Sequence, residues 1–226
     1  MSINIAIDGP AGAGKSTIAK ELAKELSYIY VDTGAMYRAM ALFCIRQGID
    51  IENGEAVSDL CQKADIRIEY QNGAQCVILN GENVNGLIRT EEVGNTTSKI
   101  SVYPKVRAKL VALQQKLAEN NDVIMDGRDI GTCVLPNAQA KIYLTASVQA
   151  RAKRRFDELQ KKGEQADLSQ IEADIKERDY RDMHRETAPL TQATDAVLID
   201  SSDMGIAEVV TEILVLLKKK GFVKKA

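Results

Sequence analysis

Residues 8–17 read DGPAGAGKST, ten positions holding three glycines, one proline, one lysine and two hydroxyl side chains. Within them Gly9, Pro10, Ala11, Gly12, Ala13, Gly14, Lys15 and Ser16 satisfy the pattern G-x-x-x-x-G-K-[ST] in full. An apolar run, INIAID (3–8), precedes the loop. Residues 15–26 follow it with Ile18, Leu22 and Leu26 on one helical stripe. Strand, glycine loop and helix in that order form an anion cradle. Few side chains stand in the way, so backbone N–H groups can point inward around a phosphate. The helix N-terminus adds partial positive charge. Lys15 can reach the β- and γ-phosphates, and the Ser16 hydroxyl can ligate Mg²⁺.

Working outward, four more β-rich runs recur: YIYVD (28–32), DVIMD (122–126), AKIYL (140–144) and AVLID (196–200). Most are nearly continuous apolar runs, which suits strands buried on both faces of a parallel sheet. Four of the five runs end in Asp, at the carboxyl edge where open α/β sheets bind ligands. Helical patterns alternate with them. Residues 104–118 open on Pro104, 147–161 on Ser147 as N-cap, 170–185 on Ser169 with Glu172 completing a capping box, and about 206–219 close in lysines and Gly221. The alternation predicts an α/β layered fold. Residues 65–86 break it. Ile66, Ile68 and Tyr70 alternate with polar residues, and Asn72-Gly73 and Asn80-Gly81 are two-residue hairpin signals, so a small antiparallel meander is expected there.

Composition narrows the class. The chain has 226 residues and a net charge of −2, so no overall basic footprint points to nucleic acid. Cys44, Cys61, Cys76 and Cys133 form no C-x-x-C pair, and His184 is the only histidine. The cysteines read as isolated reduced thiols in packed surroundings, and His184 as a surface residue. The chain starts on a strand with no basic leader or apolar h-region, and no run is long enough for a membrane span. A cytoplasmic protein is the expectation.

Arginines gather away from the loop. DTGAMYR (32–38) places Arg38 one turn into a helix. DGRDIG (126–131) places Asp126, Arg128 and Asp129 at a strand's carboxyl edge. SVQARAKRR (147–155) and KERDYRDMHR (176–185) add Arg151, Lys153, Arg154, Arg155, Arg178, Arg181 and Arg185. Arg178, Asp182 and Arg185 stand at i, i+4 and i+7, one face of a helix. Arg suits bidentate grip on phosphate. A phosphate loop is shared by GTPases, motors, nucleotide-switch binding modules and small-molecule kinases. No Asn-Lys pair for guanine occurs, and the second motif strand does not end in Asp-Glu. Loop, arginines and charged helix together supply the parts for phosphoryl transfer between two bound phosphates.

The segments IAIDGPAGAGKST, VDTGAMYRAMA, GLIRTEEVGNTTSKIS, YPKVRAKLVALQQ, MDGRDIGTCVLPNAQAKIYLTAS, ARAKRR, IKERDYRDMHRETAPL and LIDSS together resemble the bacterial cytidylate kinases, over about residues 3–216. The resemblance implies a P-loop nucleoside monophosphate kinase fold in one kinase domain (1–226). It would have a five-stranded parallel sheet flanked by helices, a small antiparallel acceptor-binding insert at about 62–97 and a short lid at about 151–165. It implies transfer of the γ-phosphoryl group of ATP to CMP or dCMP with Mg²⁺. Since no apolar stripe asks for a partner, no basic footprint points to nucleic acid and no run suits a membrane span, a monomer without nucleic-acid or membrane partners is expected. By residue, Gly9 to Ser16 together with Thr17 and Arg154 would bind ATP, with Ser16 on Mg²⁺. Thr33 and Arg38 would meet the acceptor, Arg38 on its phosphate. Ser98, Arg107 and Asp129 would read the base, Asp129 accepting from the cytosine N4 amine, where uracil would present O4. Arg128 would ligate the acceptor phosphate, and Arg178 and Asp182 would hold the ribose. Arg185 would lie near the transferring phosphates, with Arg151, Arg154 and Arg155 on the lid, and Lys15, Arg128, Arg151, Arg155 and Arg185 would be the catalytic set. Thr33 stands where Ser is also common in the family and keeps the hydroxyl.

Overall fold

The computed structural model describes residues 2–71 and 73–222. The chain divides into two compact units, Met1–Tyr30 with Asn121–Ala226, and Val31–Asn120. The boundary falls inside strand β2 (Ile29–Asp32).

The first unit carries β1 (Asn4–Asp8), α1 (Lys15–Leu26), β6 (Val123–Gly127), β7 (Ala140–Thr145), α6 (Val148–Lys161), α7 (Leu168–His184), β8 (Val197–Asp200) and α8 (Ile206–Lys219). The strands form one sheet in the order β2-β6-β1-β7-β8, and β1 pairs in parallel with β6 and with β7. The chain leaves β6 on one side of β1 and re-enters at β7 on the other. The crevice of an open α/β sheet belongs at that switch point, outside the carboxyl ends of β1, β6 and β7. Ile5, Ile7, Ile124 and Leu144 are fully buried and pack with Ile18 and Leu22 of α1 and Ile213 and Leu217 of α8. Each such side chain contributes about 1.5–3 kcal/mol over leaving it in water.

The second unit runs through α2 (Thr33–Arg46), α3 (Gly54–Lys63), β3 (Ile66–Gln71), β4 (Ala74–Leu79), β5 (Glu82–Asn83), α4 (Glu91–Ile100) and α5 (Pro104–Glu119). The expected meander is a three-stranded antiparallel sheet in which Ile66 faces Leu79 and Ile68 faces Val77. Asn80 (φ 49°) and Gly81 (φ 87°) form the tight turn between β4 and β5. Asn72 lies outside the described residues, as do residues 223–226 of the basic terminus. The apolar sides of α2 and α3 close over the meander through Met40, Cys44, Val57 and Leu79.

Several expectations need correction. Helix α7 begins at Leu168, capped by Asp167, whose carboxylate accepts from the Ser169 (2.8 Å) and Gln170 (3.3 Å) amides; Ser169 lies inside the helix. A carboxylate at that point also complements the helix dipole, which a serine hydroxyl does not. The same helix stops at His184, so Arg185 (φ −64°, ψ 142°) is its extended cap and leaves the face shared by Arg178 and Asp182. Strand β8 is an edge strand with Leu198 half exposed, not one buried on both faces. Cys133 is exposed, whereas Cys44, Cys61 and Cys76 are buried thiols. His184 is exposed and stacks on Tyr180. Among the described residues no helix is long and apolar enough to cross a membrane.

Candidate active site

In the first unit the loop between β1 and α1 depends on glycine at two points. A Cβ at Gly9 (φ 148°) would lie 1.9 Å from the Leu144 carbonyl oxygen of β7, so no other residue fits. Gly14 (φ 89°) takes the left-handed turn into α1 and leaves the helix N-terminus open to an anion. Lys15 is buried, and its Nζ donates to the Pro10 carbonyl at 2.7 Å. Burial, with Arg128 nearby, pushes its ammonium down to about 7, against the pull of Asp126, Asp8 and Asp182.

The Ser16 hydroxyl donates to Asp126 Oδ2 at 2.9 Å, and Tyr30 donates its phenol to Oδ1 of the same carboxylate at 2.8 Å. Ser16 and Asp126 therefore present two hard oxygen donors at the mouth of the loop. A magnesium ion wants a small protein share of ligands, the rest being water and phosphate oxygen, and this pair fits that requirement. Thr17 is exposed on the first turn of α1.

Beyond β6 two ion pairs stand side by side in sequence. Arg128 Nε meets Asp182 Oδ2 at 2.8 Å, and Arg185 Nη2 meets Asp129 Oδ1 at 3.5 Å, the latter pair nearly inaccessible to solvent. Burial alone would raise the Asp182 carboxyl, yet the Arg128 guanidinium holds it below the ordinary carboxylate range. Arg178 lies one turn before Asp182 on α7. Asp129 leads into a π-helical turn, Ile130–Val134.

The three α6 arginines have separate environments. Arg151 is buried and spans elements: Nη1 and Nη2 reach Asp179 of α7 at 3.1 and 2.6 Å, Nη1 also reaches the Ala11 carbonyl at 2.9 Å, and Nε reaches the Ala146 carbonyl at 2.9 Å. Arg154 donates to the Ser201 carbonyl beyond β8. Arg155 pairs with Glu158 on the exposed side of the helix.

In the second unit Thr33 is buried at the first position of α2. Arg38 donates to the Ile88 carbonyl at 3.2 Å and lies against Gly94 of α4. Ser98 donates to that glycine's carbonyl at 3.4 Å, so Arg38 and Ser98 converge on one turn of α4. Arg107 is buried, sits over the Tyr37 ring at 5.8 Å and donates to the Ser101 carbonyl at 3.4 Å. Asp32 organises the start of α2. It accepts from the Ala35 amide at 2.9 Å and pairs with Arg89 at 2.6 Å, while the Gln75 side chain of β4 clamps its backbone N–H (2.7 Å) and C=O (3.2 Å). Sequence reasoning assigned no role to Tyr30, Asp32, Gln75, Arg89, Asp126 or Asp179. The only signal for the carboxylates was their place at strand ends or in arginine-rich runs.

Residues 5–219 match the model of the family described as cytidylate kinase. The chain belongs to the cytidylate kinase family. A cytidylate kinase of Enterococcus faecalis is 50% identical over 220 residues, covering 97% of each chain. One from Caldicellulosiruptor saccharolyticus is 52% identical over 217 residues, covering 96% of each. Among solved structures, a gluconokinase from Sinorhizobium meliloti aligns over 96% of this cytidylate kinase family member and 92% of its own chain, with TM-score 0.51 and 14% identity. At that identity the likeness concerns the fold alone. The family and the sheet order agree on a P-loop kinase frame with a five-stranded parallel sheet and a small antiparallel meander.

Proposed function

We propose that this chain transfers the γ-phosphoryl group of ATP to CMP or dCMP, giving ADP and CDP or dCDP. The observation that carries the reading is the phosphate loop with a buried lysine, set beside two arginine–carboxylate pairs at the carboxyl edge of one sheet. Family membership speaks against a different small-molecule kinase or a nucleotide switch. The reading includes a cytoplasmic monomer in pyrimidine nucleotide metabolism, acting on small nucleotides without nucleic acid or membrane. It also includes an acceptor-binding insert at about 62–97 and a lid at about 151–165.

Phosphoryl transfer asks the protein mainly for positioning and charge neutralisation. The loop of residues 9–17, through its backbone amides other than at Pro10, and Arg154 hold the donor. Lys15, brought back to its charged form by the triphosphate, follows the charge that develops between β- and γ-phosphates. Arg128 and Arg38 take the acceptor phosphate, and Arg178 with Asp182 the ribose. Thr33, Ser98, Arg107 and Asp129 take the cytosine side, and Arg151, Arg155 and Arg185 serve the transferring group. Mg²⁺, held by Ser16 and Asp126 with phosphate oxygens and water, would neutralise charge on the bridging oxygens. Tyr30 orients the Asp126 carboxylate, so Tyr30→Phe should raise the Mg²⁺ concentration for half-maximal rate by roughly tenfold at saturating ATP. A metal titration of the initial rate measures this.

The substrate claim is tested by coupled ADP release with CMP, dCMP, UMP and AMP. CMP and dCMP should dominate, and equal rates with all four acceptors would overturn the reading.

A further inference from the structure

Asp8, the last residue of β1, is buried, and both of its carboxylate oxygens are spoken for by consecutive backbone amides: Ile130 N donates to Oδ1 and Gly131 N to Oδ2, each at 2.7 Å. These amides directly follow Asp129. The Asp129 carbonyl, in the same peptide unit as the Ile130 amide, accepts from Cys133 N (2.8 Å) and Val134 N (3.2 Å) of the π-helical turn. The peptide unit that joins Asp129 to Ile130 is thus held at both its N–H and its C=O. Contact is close: a Cβ at Gly131 would stand 3.3 Å from Asp8 Oδ2 and 3.1 Å from the Lys141 stem.

Only a carboxylate can do this. Two parallel N–H donors need two acceptor oxygens side by side, and an asparagine offers one acceptor and a donor. The arrangement opposes the group's own solvation. Burial pushes the Asp8 carboxyl up to about 6, the two amides and Lys15 working against that rise and Asp129 adding to it. Lys15 from α1, Asp129 from the turn, and Lys141 and Tyr143 from β7 are the ionisable groups around it. A buried carboxylate kept at such a cost, at the foot of the residue assigned to the base, serves that residue's geometry.

We propose that Asp8 is a positioning residue for base selection: its carboxylate fixes the Asp129–Gly131 backbone so that the Asp129 side chain meets the exocyclic amine of the acceptor pyrimidine. This rests on Asp129 as the base reader. Asp8 acts through the turn, its carboxylate being taken up by the Ile130 and Gly131 amides. Its loss therefore changes which acceptor is chosen more than how the donor is held.

The test compares Asp8→Asn, Gly131→Ala and Asp129→Ala with the parent protein, measuring kcat/KM for CMP and UMP, KM for ATP and the melting midpoint. Asp8→Asn should lower the CMP-over-UMP ratio by roughly tenfold, mainly through KM for CMP, with KM for ATP within about twofold of the parent. Gly131→Ala pushes the turn off Asp8 without changing a charge and should lower the ratio in the same direction; it decides the matter alone if Asp8→Asn does not fold. A ratio lost in Asp129→Ala and kept in both other variants overturns the role of Asp8. A ratio kept in Asp129→Ala instead removes the base-reading assignment, and the role of Asp8 with it.

Discussion

Lys15→Met lowers kcat for phosphoryl transfer by about 10²–10³-fold, the usual loss when one well-placed charge-stabilising donor is removed, and leaves the fold standing. Both halves follow from burial. The buried ammonium donates to one carbonyl, that of Pro10, at 2.7 Å, and desolvation, with Arg128 nearby, brings its pKa down to about 7. The sign follows. A lysine lowered on folding gives up stability as pH falls from its unfolded value to about 7, because over that range the unfolded chain takes up a proton that the folded site does not. A methionine of similar length removes that penalty, so stability near pH 7 should not fall. Polyphosphate reverses the balance. Its negative charge restores the ammonium, so ATP binding above pH 7 takes up a proton and weakens as pH rises. Calorimetric titration at pH 8 in buffers of different ionisation enthalpy should show net proton uptake in the parent and none in Lys15→Met. Equal uptake in both proteins would mean that Lys15 is already charged in the free site.

The frame was readable from local signals because several of them agreed: apolar runs, a glycine loop between a strand and a helix, and a Pro at the first turn of α5. What escaped had weak local signals. Helix α4 carries Asn95, Thr96, Thr97 and Ser98, poor helix formers, and its only clear marks are the Thr90 cap and the acidic first turn of Glu91 and Glu92. Helix α3 hides behind Gly54 after its Asn53 cap. The capping-box pattern at Ser169 was real in spacing but lost to Asp167 two residues earlier, since local patterns do not rank competing caps. In the site, residue types at strand ends were readable, but partnerships were not. Nothing in sequence spacing joins Tyr30 to Asp126, Asp8 to Gly131 or Arg151 to Asp179, because each pair is made by the strand order of the sheet or by helix packing. Arg154 and Arg155, adjacent in sequence, end up on a backbone carbonyl and on a surface glutamate. A run of arginines thus announces charge without saying which member faces the site.

Asp179→Ala should destabilise the protein by about 3–5 kcal/mol, the cost of leaving a buried charge without its partner. For a chain of this size that corresponds to a melting midpoint lower by roughly 6–20 °C. The carboxylate engages the Arg151 guanidinium at 3.1 and 2.6 Å, and the arginine side chain is only 4% exposed. Alanine offers no acceptor, and a guanidinium cannot shed its proton to adapt. Replacing both ends should separate two roles. Arg151→Met with Asp179→Leu fills the space without burying charge and should recover most of the lost stability. It does not recover the bond from Arg151 to the Ala11 carbonyl, which ties the phosphate loop to α6. The double variant is therefore expected to unfold near the parent's denaturant midpoint yet bind ATP more weakly than the parent. Urea unfolding of the parent, Asp179→Ala and the double variant, followed by ATP titration of each, measures both. An unfolding free energy for Asp179→Ala within about 1 kcal/mol of the parent would mean that water reaches Arg151 once its partner is gone. Parent-like ATP affinity in the double variant would mean that the loop holds its shape without the arginine.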